Sequence, residues 1–581
     1  MRKQIWILAM LGLFGLWACS GDGKDVADGD DAQDGTAGPK GDDGTAGPKG
    51  DDGAPGPKGD DGVLPSLTLV IPEVLPEGNA DCPLGGIRIV TGVDANGNGA
   101  LDDDEIDADQ TQLLCQTTAG QQVQVRVSEE PPGENCFYGG QKIETGLDDG
   151  QGGLTGDIET VYVCQASKFC AGFFTERDVD ELLHCTELVG NVEITNTDLE
   201  TFAMPRLTRI FQGGIYIQDN PSLSHIDLSQ LSALNYVGDF VITENAALTS
   251  LDLSQLAALD YMDNFVIAEN ASLTALDLSQ LAALDYVNNF VIAENASLTA
   301  LDLSQLAALE YVSDFVIADN ASLTALDLSQ LQMVQDVYNF AISDNDALTE
   351  LDLSQLAVLY YMSYFVIEDN DALTSLDLSG LTQVEYIDSF RVSDNDALTD
   401  IDLSQLAVLG VDDHYHWCDF EMSRNAALAE LALPALTKID HARLIIEGNA
   451  ALAEIALPEL EALVGMGYYE SRISISHNPS LDTLAFPELV NAERLIVRAN
   501  SDADNNGLTR IEAPKLEALR HLEISSNAAL TSFDFVLLKE VQGEFNISFN
   551  PNLPHGDVED LLTQLNAPPS STFIPGNLGT P

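Results

Sequence analysis

The chain has 581 residues, and its 94 Asp and Glu residues against 24 Lys and Arg residues give it a formal net charge of −70. This charge argues against nucleic-acid binding, because affinity for nucleic acids depends on neutralising phosphates with Lys and Arg. Hydrophobic residues still make up 45% of the chain, so we expect it to fold, as several domains or as a repeat array. An acidic excess of this size fits a solvated exterior surface or cation binding.

The first 18 residues are typical of an export signal. A short basic start precedes an apolar run, residues 5–17, that is too short for a membrane span. The run ends in LWAC, residues 16–19, which resembles the lipobox of bacterial lipoproteins. The resemblance implies that Cys19 becomes the lipidated mature N-terminus, and that Ser20 after it directs the protein to the outer membrane. We expect exposure at the cell surface, and the periplasmic side stays open. An ordinary signal peptide with an incidental Cys stays open.

Residues 35–62 carry Gly at every third position, ten in all. Only Gly fits at the axis of a collagen triple helix, so this segment is predicted to be collagen-like. Lys-Gly-Asp units at Lys40, Lys49 and Lys58 can set charges of neighbouring chains against each other. A homotrimeric rod of roughly 80 Å and a single-chain linker both stay open, and either is a spacer. Residues 19–34, rich in Asp and Gly, are predicted to be a disordered tether.

Two cysteine-bounded modules follow, residues 63–117 and 118–166. Their central parts, 76–116 and 130–165, look like copies of one unit with a Cys, a Gly-Gly pair, a strand, an acidic loop and a strand ending in Cys. Close Cys pairs in an exported protein indicate disulfides. The predicted disulfides, including one after the modules, are Cys82–Cys115, Cys136–Cys164 and Cys170–Cys185, which leaves Cys418 over.

The loop DANGNGALDDDE of the first module has the ligand spacing of an EF-hand calcium loop. Its flanks look like strands, so we expect a structural calcium ion inside a disulfide module, although an acidic turn without metal stays open. The pair of modules resembles uncharacterised EF-like modules of bacterial surface lipoproteins. The predicted calcium ligands are Asp94, Asn96, Asn98, the carbonyl of Ala100, Asp102 and Glu105.

A 25-residue unit dominates residues 191–552, for example LTALDLSQLAALDYVNNFVIAENAS at 273–297. A fixed period in this range predicts a solenoid, in which each turn buries its apolar face against its neighbours. Phe290 and Ile292 alternate with outward positions, and Asn295 is predicted to stack with its equivalents as an Asn ladder inside the solenoid. The predicted fold is therefore mainly β: a β-solenoid of about 15 turns after two small disulfide-bonded β modules and a collagen-like or disordered N-terminal region.

The entry to the array, FCAGFFTERDVDELLHCTELVGNVEIT at residues 169–195, resembles the N-terminal cap of receptor L domains, the leucine-rich solenoids of growth-factor receptor ectodomains. Repeats such as GGIYIQDNPSLSHIDL match as well. The resemblance implies a right-handed leucine-rich solenoid with its N-terminal cap at 167–190. Residues 553–581 are predicted to be a C-terminal cap and tail, with an amphipathic helix but no Cys pair.

The fixed period also predicts which side chains form surface columns. Asp302 lies between inward Leu residues and must point outward, and its equivalents stack at about 4.8 Å. A second acidic column precedes the Asn residues, and stacked like charges repel unless cations or salt screen them. Outward Val and Tyr series flank these columns, either as sheet-stabilising ladders or as a contact face. The binding-face candidates are Asp227, Asp252, Asp277, Asp302, Asp327, Asp352, Asp377, Asp402, Val241, Val266, Val291 and Val316.

Three insertions break the period, at residues 410–420, 465–472 and 501–507. The first is either a zinc or copper site or a plain loop, the second is aromatic, and the third is half a calcium loop without its final Glu. The candidate ligands are His414, His416 and Cys418 in the first, and Asp502, Asp504 and Asn506 in the third.

The sequence favours binding over catalysis. Its carboxylates are repeated, whereas a catalytic site needs a few groups in distinct environments, and there is no nucleophile elbow, phosphate loop or basic residue within the acidic array. We therefore expect a non-catalytic, lipid-anchored surface protein for adhesion, with an extracellular protein or polysaccharide as ligand. Two alternatives stay open: a carbohydrate-active solenoid enzyme that uses the 410–420 and 465–472 loops, and a self-associating surface or matrix component.

Overall fold

The computed structural model describes residues 67–94, 101, 106, 112–115, 123–130, 140–148, 154–164, 169–410, 418–465, 470–502 and 506–579. The predicted signal, tether and collagen-like segments lie outside these residues. Within them the chain is mainly β, with two small antiparallel sheets followed by a parallel β-solenoid of about 15 turns, as the repeat period predicts. Among the described residues, no helix has the length and apolarity needed to cross a membrane.

The two N-terminal sheets have the same plan. Each has three antiparallel strands in sequence order, and in each the first residue of the middle strand, Gly86 or Gly140, pairs with the Cys that ends the third strand. In the first sheet the predicted Cys82–Cys115 disulfide is confirmed, with 5.0 Å between the Cα atoms. The strands are Leu67–Leu75, Gly86–Asp94 and Gln112–Cys115 in the first sheet, and Val123–Glu130, Gly140–Asp148 and Leu154–Cys164 in the second.

The solenoid begins with a short cap. Strand Phe169–Thr175 pairs in parallel with the first solenoid strand, and helix Val179–Leu182 follows it. The predicted Cys170–Cys185 disulfide is confirmed, and both residues are buried. This link ties the cap strand to the start of the array.

Each turn contributes to a long parallel ladder and to a short one, and the strand pairing of the short ladder is interrupted between Ala325–Asp327 and Glu350–Asp352 and between Asp400–Asp402 and Glu430–Ala432. The short ladder has three-residue strands whose central apolar residue points inward, because neighbours on a strand alternate between faces. Parallel partners are 25 residues apart through most of the array, as for Leu276 and Leu301. The strands of the short ladder are Thr201–Ala203, His225–Asp227, Ser250–Asp252, Ala275–Asp277, Ala300–Asp302, Ala325–Asp327, Glu350–Asp352, Ser375–Asp377, Asp400–Asp402, Glu430–Ala432, Glu454–Ala456, Thr483–Ala485, Arg510–Glu512 and Ser532–Asp534.

The long ladder has strands that are continuous in some turns and split by a bend in others. Its members are Glu187–Thr195, Arg209–Gln218, Ala233–Asn235, Asp239–Thr243, Ala258–Ala268, Ala283–Ala293, Ala308–Glu310, Asp314–Ala318, Met333–Gln335, Asn339–Ser343, Val358–Glu368, Gln383–Ser393, Val408–Gly410, Cys418–Ser423, Lys438–Asp440, Ala442–Glu447, Ala462–Val464, Arg472–Ser476, Asn491–Arg498, Ala518–Ser525, Glu540–Val541, Glu544–Ser548 and Ser571–Phe573.

The core consists of identical side chains stacked turn upon turn. Phe rings at the same register, from Phe240 to Phe420, stack with centroids 4.3 to 5.2 Å apart. Fully buried Leu residues of the short ladder and its turns complete the interior. Burying a side chain of this size contributes about 1.5–3 kcal/mol, so each turn adds to stability only when its neighbours cover it.

The predicted Asn ladder runs through the interior from Asn220 to Asn577. Each Asn is buried, and its Nδ2 donates to a carbonyl of the preceding turn. From Asn245 onward its Oδ1 accepts the backbone N–H of the preceding Asn, whereas Asn220 Oδ1 accepts the N–H of Thr197. For Asn320 these bonds measure 3.1 Å, from Asn295 N, and 2.9 Å, to Ile292 O. The predicted C-terminal cap therefore includes one more solenoid turn, in which helix His555–Gln564 precedes Asn577.

Candidate ligand-binding surface

The Asp column of the short ladder lies on the surface. Asp302 is exposed, and its Oδ1 accepts the N–H of Ser304 at 2.9 Å. The same hydrogen bond recurs at every Asp of the column. One carboxylate oxygen therefore stabilises the turn, while the other is available to solvent. The members and bonds are those of Asp227, Asp252, Asp277, Asp302, Asp327, Asp352, Asp377 and Asp402.

The second acidic column occupies a bend. Its eight residues have φ between 53° and 58°, the left-handed region, directly before each buried Asn. Gly448 and Gly576 take the same place in two later turns, as expected where backbone strain favours Gly. Burial, and then the neighbouring carboxylates, raise the pKa of Glu269 and of Glu294. The column is Asp219, Glu244, Glu269, Glu294, Asp319, Asp344, Asp369 and Asp394.

Of the two interpretations left open for the Val column, the burial of its side chains supports a sheet-stabilising ladder and not an exposed contact face. Val266 is 2% exposed, Val241 7% and Val316 8%, and Val291 is only partly exposed. These side chains do point away from the core, but a small side chain in the middle of a parallel ladder is covered by its counterparts one turn away. The four Val residues are therefore corrected from candidate contact residues to members of a packed ladder.

The Tyr series supplies the exposed aromatic surface instead. Tyr236, Tyr261, Tyr286 and Tyr311 stack with centroids 5.0, 4.7 and 4.4 Å apart, and their exposed fractions run from 42% to 63%. Each lies at the bend within the long ladder, with φ between 51° and 56°. Such a backbone costs of order 1 kcal/mol, and ring stacking of about 0.5–1.5 kcal/mol per pair offsets it.

The tyrosine column, defined as Tyr236, Tyr261, Tyr286, Tyr311, Tyr361 and Tyr386, is interrupted at Asp336. A shallow depression of about 280 Å³ lies beside this break. Exposed Tyr338 and Tyr364, which meet edge to face at 5.8 Å, add to the aromatic surface there. The depression is lined by Asp336, Tyr338, Tyr361, Met362, Ser363, Tyr386 and Asp388.

The charge around the tyrosine column has one sign. Residues 210–390 contain 27 Asp and Glu residues and not one Lys or Arg. Faces of aromatic rings attract cations, and carboxylates beside them add Coulomb attraction. The surface is therefore suited to a positively charged ligand.

The predicted metal sites fall largely outside the described residues. Asp94 ends its strand, but the other five predicted calcium ligands, with His414, His416 and Asp504, lie outside those residues. Within the described part of the chain no three His, Cys, Asp or Glu side chains are grouped to hold a metal. Asp502 accepts bonds from Asn506 N and Nδ2 at 2.9 and 3.0 Å. Cys418 is buried, and burial raises the pKa of its thiol.

Two of the remaining predicted sites also lie outside the described residues, namely the lipidation site Cys19 and, for the second module's disulfide, Cys136. Both stay predictions. Sequence reasoning missed Asp336, Tyr338, Tyr364 and Asp388, because each departs from the common repeat. The signal that could have found them was this departure itself, clustered within three consecutive turns.

A family model described as "Domain of unknown function (DUF7151)" matches the chain twice, at residues 68–115 and 124–164. Both matches lie within the two predicted cysteine-bounded modules, and one model matching both agrees with their common strand plan. The match leaves the solenoid uncovered. No curated protein matches the chain.

Proposed function

We propose that this chain is a lipid-anchored cell-surface binding protein that acts in adhesion, without catalysis, and that its solenoid presents the tyrosine column and the acidic columns to a basic partner. The observation that carries the proposal is the stack of exposed Tyr rings within a stretch of 27 acidic and no basic residues.

The chemistry of this surface favours Lys and Arg side chains of an extracellular protein. A cation over a Tyr ring gains about 0.5–1 kcal/mol at an exposed site, and repetition along the column multiplies the number of such contacts. Carboxylates near the column, such as Glu310 and Asp336 close to Tyr311, steer a basic partner to the surface and repel acidic ones. A basic segment in extended conformation fits such a surface better than a compact small molecule, because the column offers one ring per turn.

The N-terminal region supports a surface location. The LWAC sequence at residues 16–19 provides a lipid anchor at Cys19, and the Gly-X-Y segment at 35–62 provides a spacer. A calcium ion in the loop that begins at Asp94 would stiffen the first module between spacer and solenoid. The solenoid itself is proposed to be of the receptor L type, the architecture its entry sequence resembles.

The test is binding of an arginine-rich peptide to the purified full-length protein at physiological salt. Replacing Tyr261 and Tyr286 by Leu leaves every charge in place, and we expect affinity to fall at least tenfold, roughly 1.4 kcal/mol or more. The matched control replaces exposed Val536 and Leu537 by Ser, which should leave affinity unchanged. Equal affinities of the parent and both variants would mean that the peptide binds through net charge alone, which would contradict a role for the tyrosine column. Cleavage of an acidic polysaccharide by the purified protein would contradict the absence of catalysis.

A further inference from the structure

The outward row of the long ladder that begins with Asp239 becomes basic in the C-terminal turns. Asp419 pairs in register with Arg443, Arg443 with Arg472, and Arg472 with Arg494. Parallel strands lie about 4.8 Å apart, so three guanidinium-bearing side chains stack on successive turns. In a chain with a net charge of −70, this arginine row (Arg443, Arg472 and Arg494) is a local inversion of sign.

The two outer arginines of the row have acidic partners. Arg443 forms an ion pair with Asp419, and Arg494 Nη2 lies 3.2 Å from Glu470 Oε2. The central Arg472 differs from both. Among the residues the structure describes, no carboxylate lies within ion-pairing distance of it. Its buried Nε makes no hydrogen bond, which is also true of the buried Nε of Arg494.

The surroundings of Arg472 do not compensate its charge. Burial, and then the positive charge of Arg443, lower the pKa of Arg472, and Asp419 offsets this in part. Asp419 is already engaged by Arg443. Glu470 is shared further, with Arg520 Nη1 at 3.0 Å as well as with Arg494. A half-buried guanidinium between two like charges calls for an anion from outside these residues.

We propose that the arginine row binds one small oxyanion, a sulfate, phosphate or carboxylate group, with Arg472 as its central ligand. The planar fork of a guanidinium matches such groups with two parallel N–H···O bonds. A single group is favoured over a polyanion, because the net charge of the protein repels a long acidic polymer. This site is separate from the tyrosine column and does not depend on its function.

The experiment measures binding of inorganic sulfate to the full-length protein by calorimetry, in sodium chloride of matched ionic strength. We expect saturable binding, and at least tenfold weaker binding in R472Q. The matched control R510Q changes an exposed arginine on the short ladder that pairs with Glu512 at 2.6 Å, and should bind as the parent protein does. R472K keeps the charge without the fork, and should fall between the parent and R472Q.

The same variants also test whether Arg472 is needed for folding and whether the bound group is free or part of a polymer. Without sulfate, R472Q should unfold at a temperature no lower than the parent, since it removes a repelled cation, and a lower midpoint would make Arg472 structural and overturn the site. Failure of R472Q to fold would count against the proposal. Sulfate affinity of R472K equal to that of the parent protein would also count against it. A sulfated oligosaccharide should bind no more tightly than sulfate. Tighter binding that R472Q abolishes would support the site with the group carried on a polymer.

Discussion

Two stretches of one solenoid, residues 210–390 and 391–550, share an interior and differ on the outside. The Asn ladder and the parallel long ladder continue through both. The first stretch has no Lys or Arg, whereas the second has eleven, the stacked arginines among them. The interior is therefore set by the requirement that every turn covers the next, while the outer rows are free to change sign.

The number of residues between successive ladder Asn residues also differs between the two stretches. Successive Asn residues are 25 apart in the first stretch, but 30, 24, 29 and 22 apart between Asn395 and Asn500. The hydrogen bonds between successive Asn residues stay near 3 Å in both stretches. The additional residues of the longer turns therefore do not shift the register of the Asn ladder. The buried amides therefore define a turn, and the number of residues between them does not.

The largest predicted effect tests the shared interior. Removing the amide in Asn320→Ala leaves Asn295 N–H and Ile292 C=O without their partners, and Asn478→Ala does the same to Asn449 N–H and Ile446 C=O. Each unsatisfied buried group costs about 1–3 kcal/mol, so both substitutions should lower the free energy of unfolding by about 2–5 kcal/mol. Urea unfolding followed by circular dichroism measures this.

The control for these substitutions is Asn288→Ala. Asn288 is exposed and donates to Asp263 Oδ1 at 3.0 Å, so its loss should change stability by less than about 0.5 kcal/mol. A cost for Asn478→Ala as small as that of Asn288→Ala would show that the two stretches do not share one interior.

The sequence predicts most of the fold because the fold is periodic. One repeat fixes the inward Phe, Leu and Asn positions, and stacking identical turns leaves few other solutions. Asn577 escaped the prediction, because a helix and an irregular connection separate it from Asn550. The cap disulfide could be predicted because Cys170 and Cys185 are only 15 residues apart in sequence.

The candidate sites were harder to predict, for two physical reasons. Alternation tells which way Val266 points but not that its neighbours cover it, so an outward side chain proved buried. The arginine row was missed because its members are 29 and 22 residues apart in sequence, and only the pairing of strands aligns them. Direction follows from local pattern, whereas exposure and alignment depend on the packed structure.

A smaller effect is expected where the tyrosine column is interrupted. Asp336 has φ 52°, the same backbone as the Tyr residues of its register, so Asp336→Tyr should add a ring between Tyr311 and Tyr361 without new strain. We expect the free energy of unfolding to rise by about 1 kcal/mol, the value of stacked rings. Asp336→Ala is the comparison that removes the carboxylate without adding a ring, and equal stability of the two variants would rule out the stacking explanation.

The smallest effect concerns the like charges of the first stretch. Because burial and the neighbouring carboxylates raise the pKa of Glu294, its ionised form is disfavoured in the folded protein. The stability that this group contributes is present below its ordinary pKa of about 4.3, and is lost as the pH rises through the raised value. Glu294→Gln should therefore be more stable than the parent at pH 7, by about 0.3 kcal/mol after solvent screening, and equally stable near pH 4. Exposed Glu350→Gln on the short ladder serves as the control. A Glu294→Gln protein that is less stable than the parent at pH 7 would contradict the prediction. It would mean that the ionised Glu294 side chain stabilises the folded protein, as it would beside a bound cation.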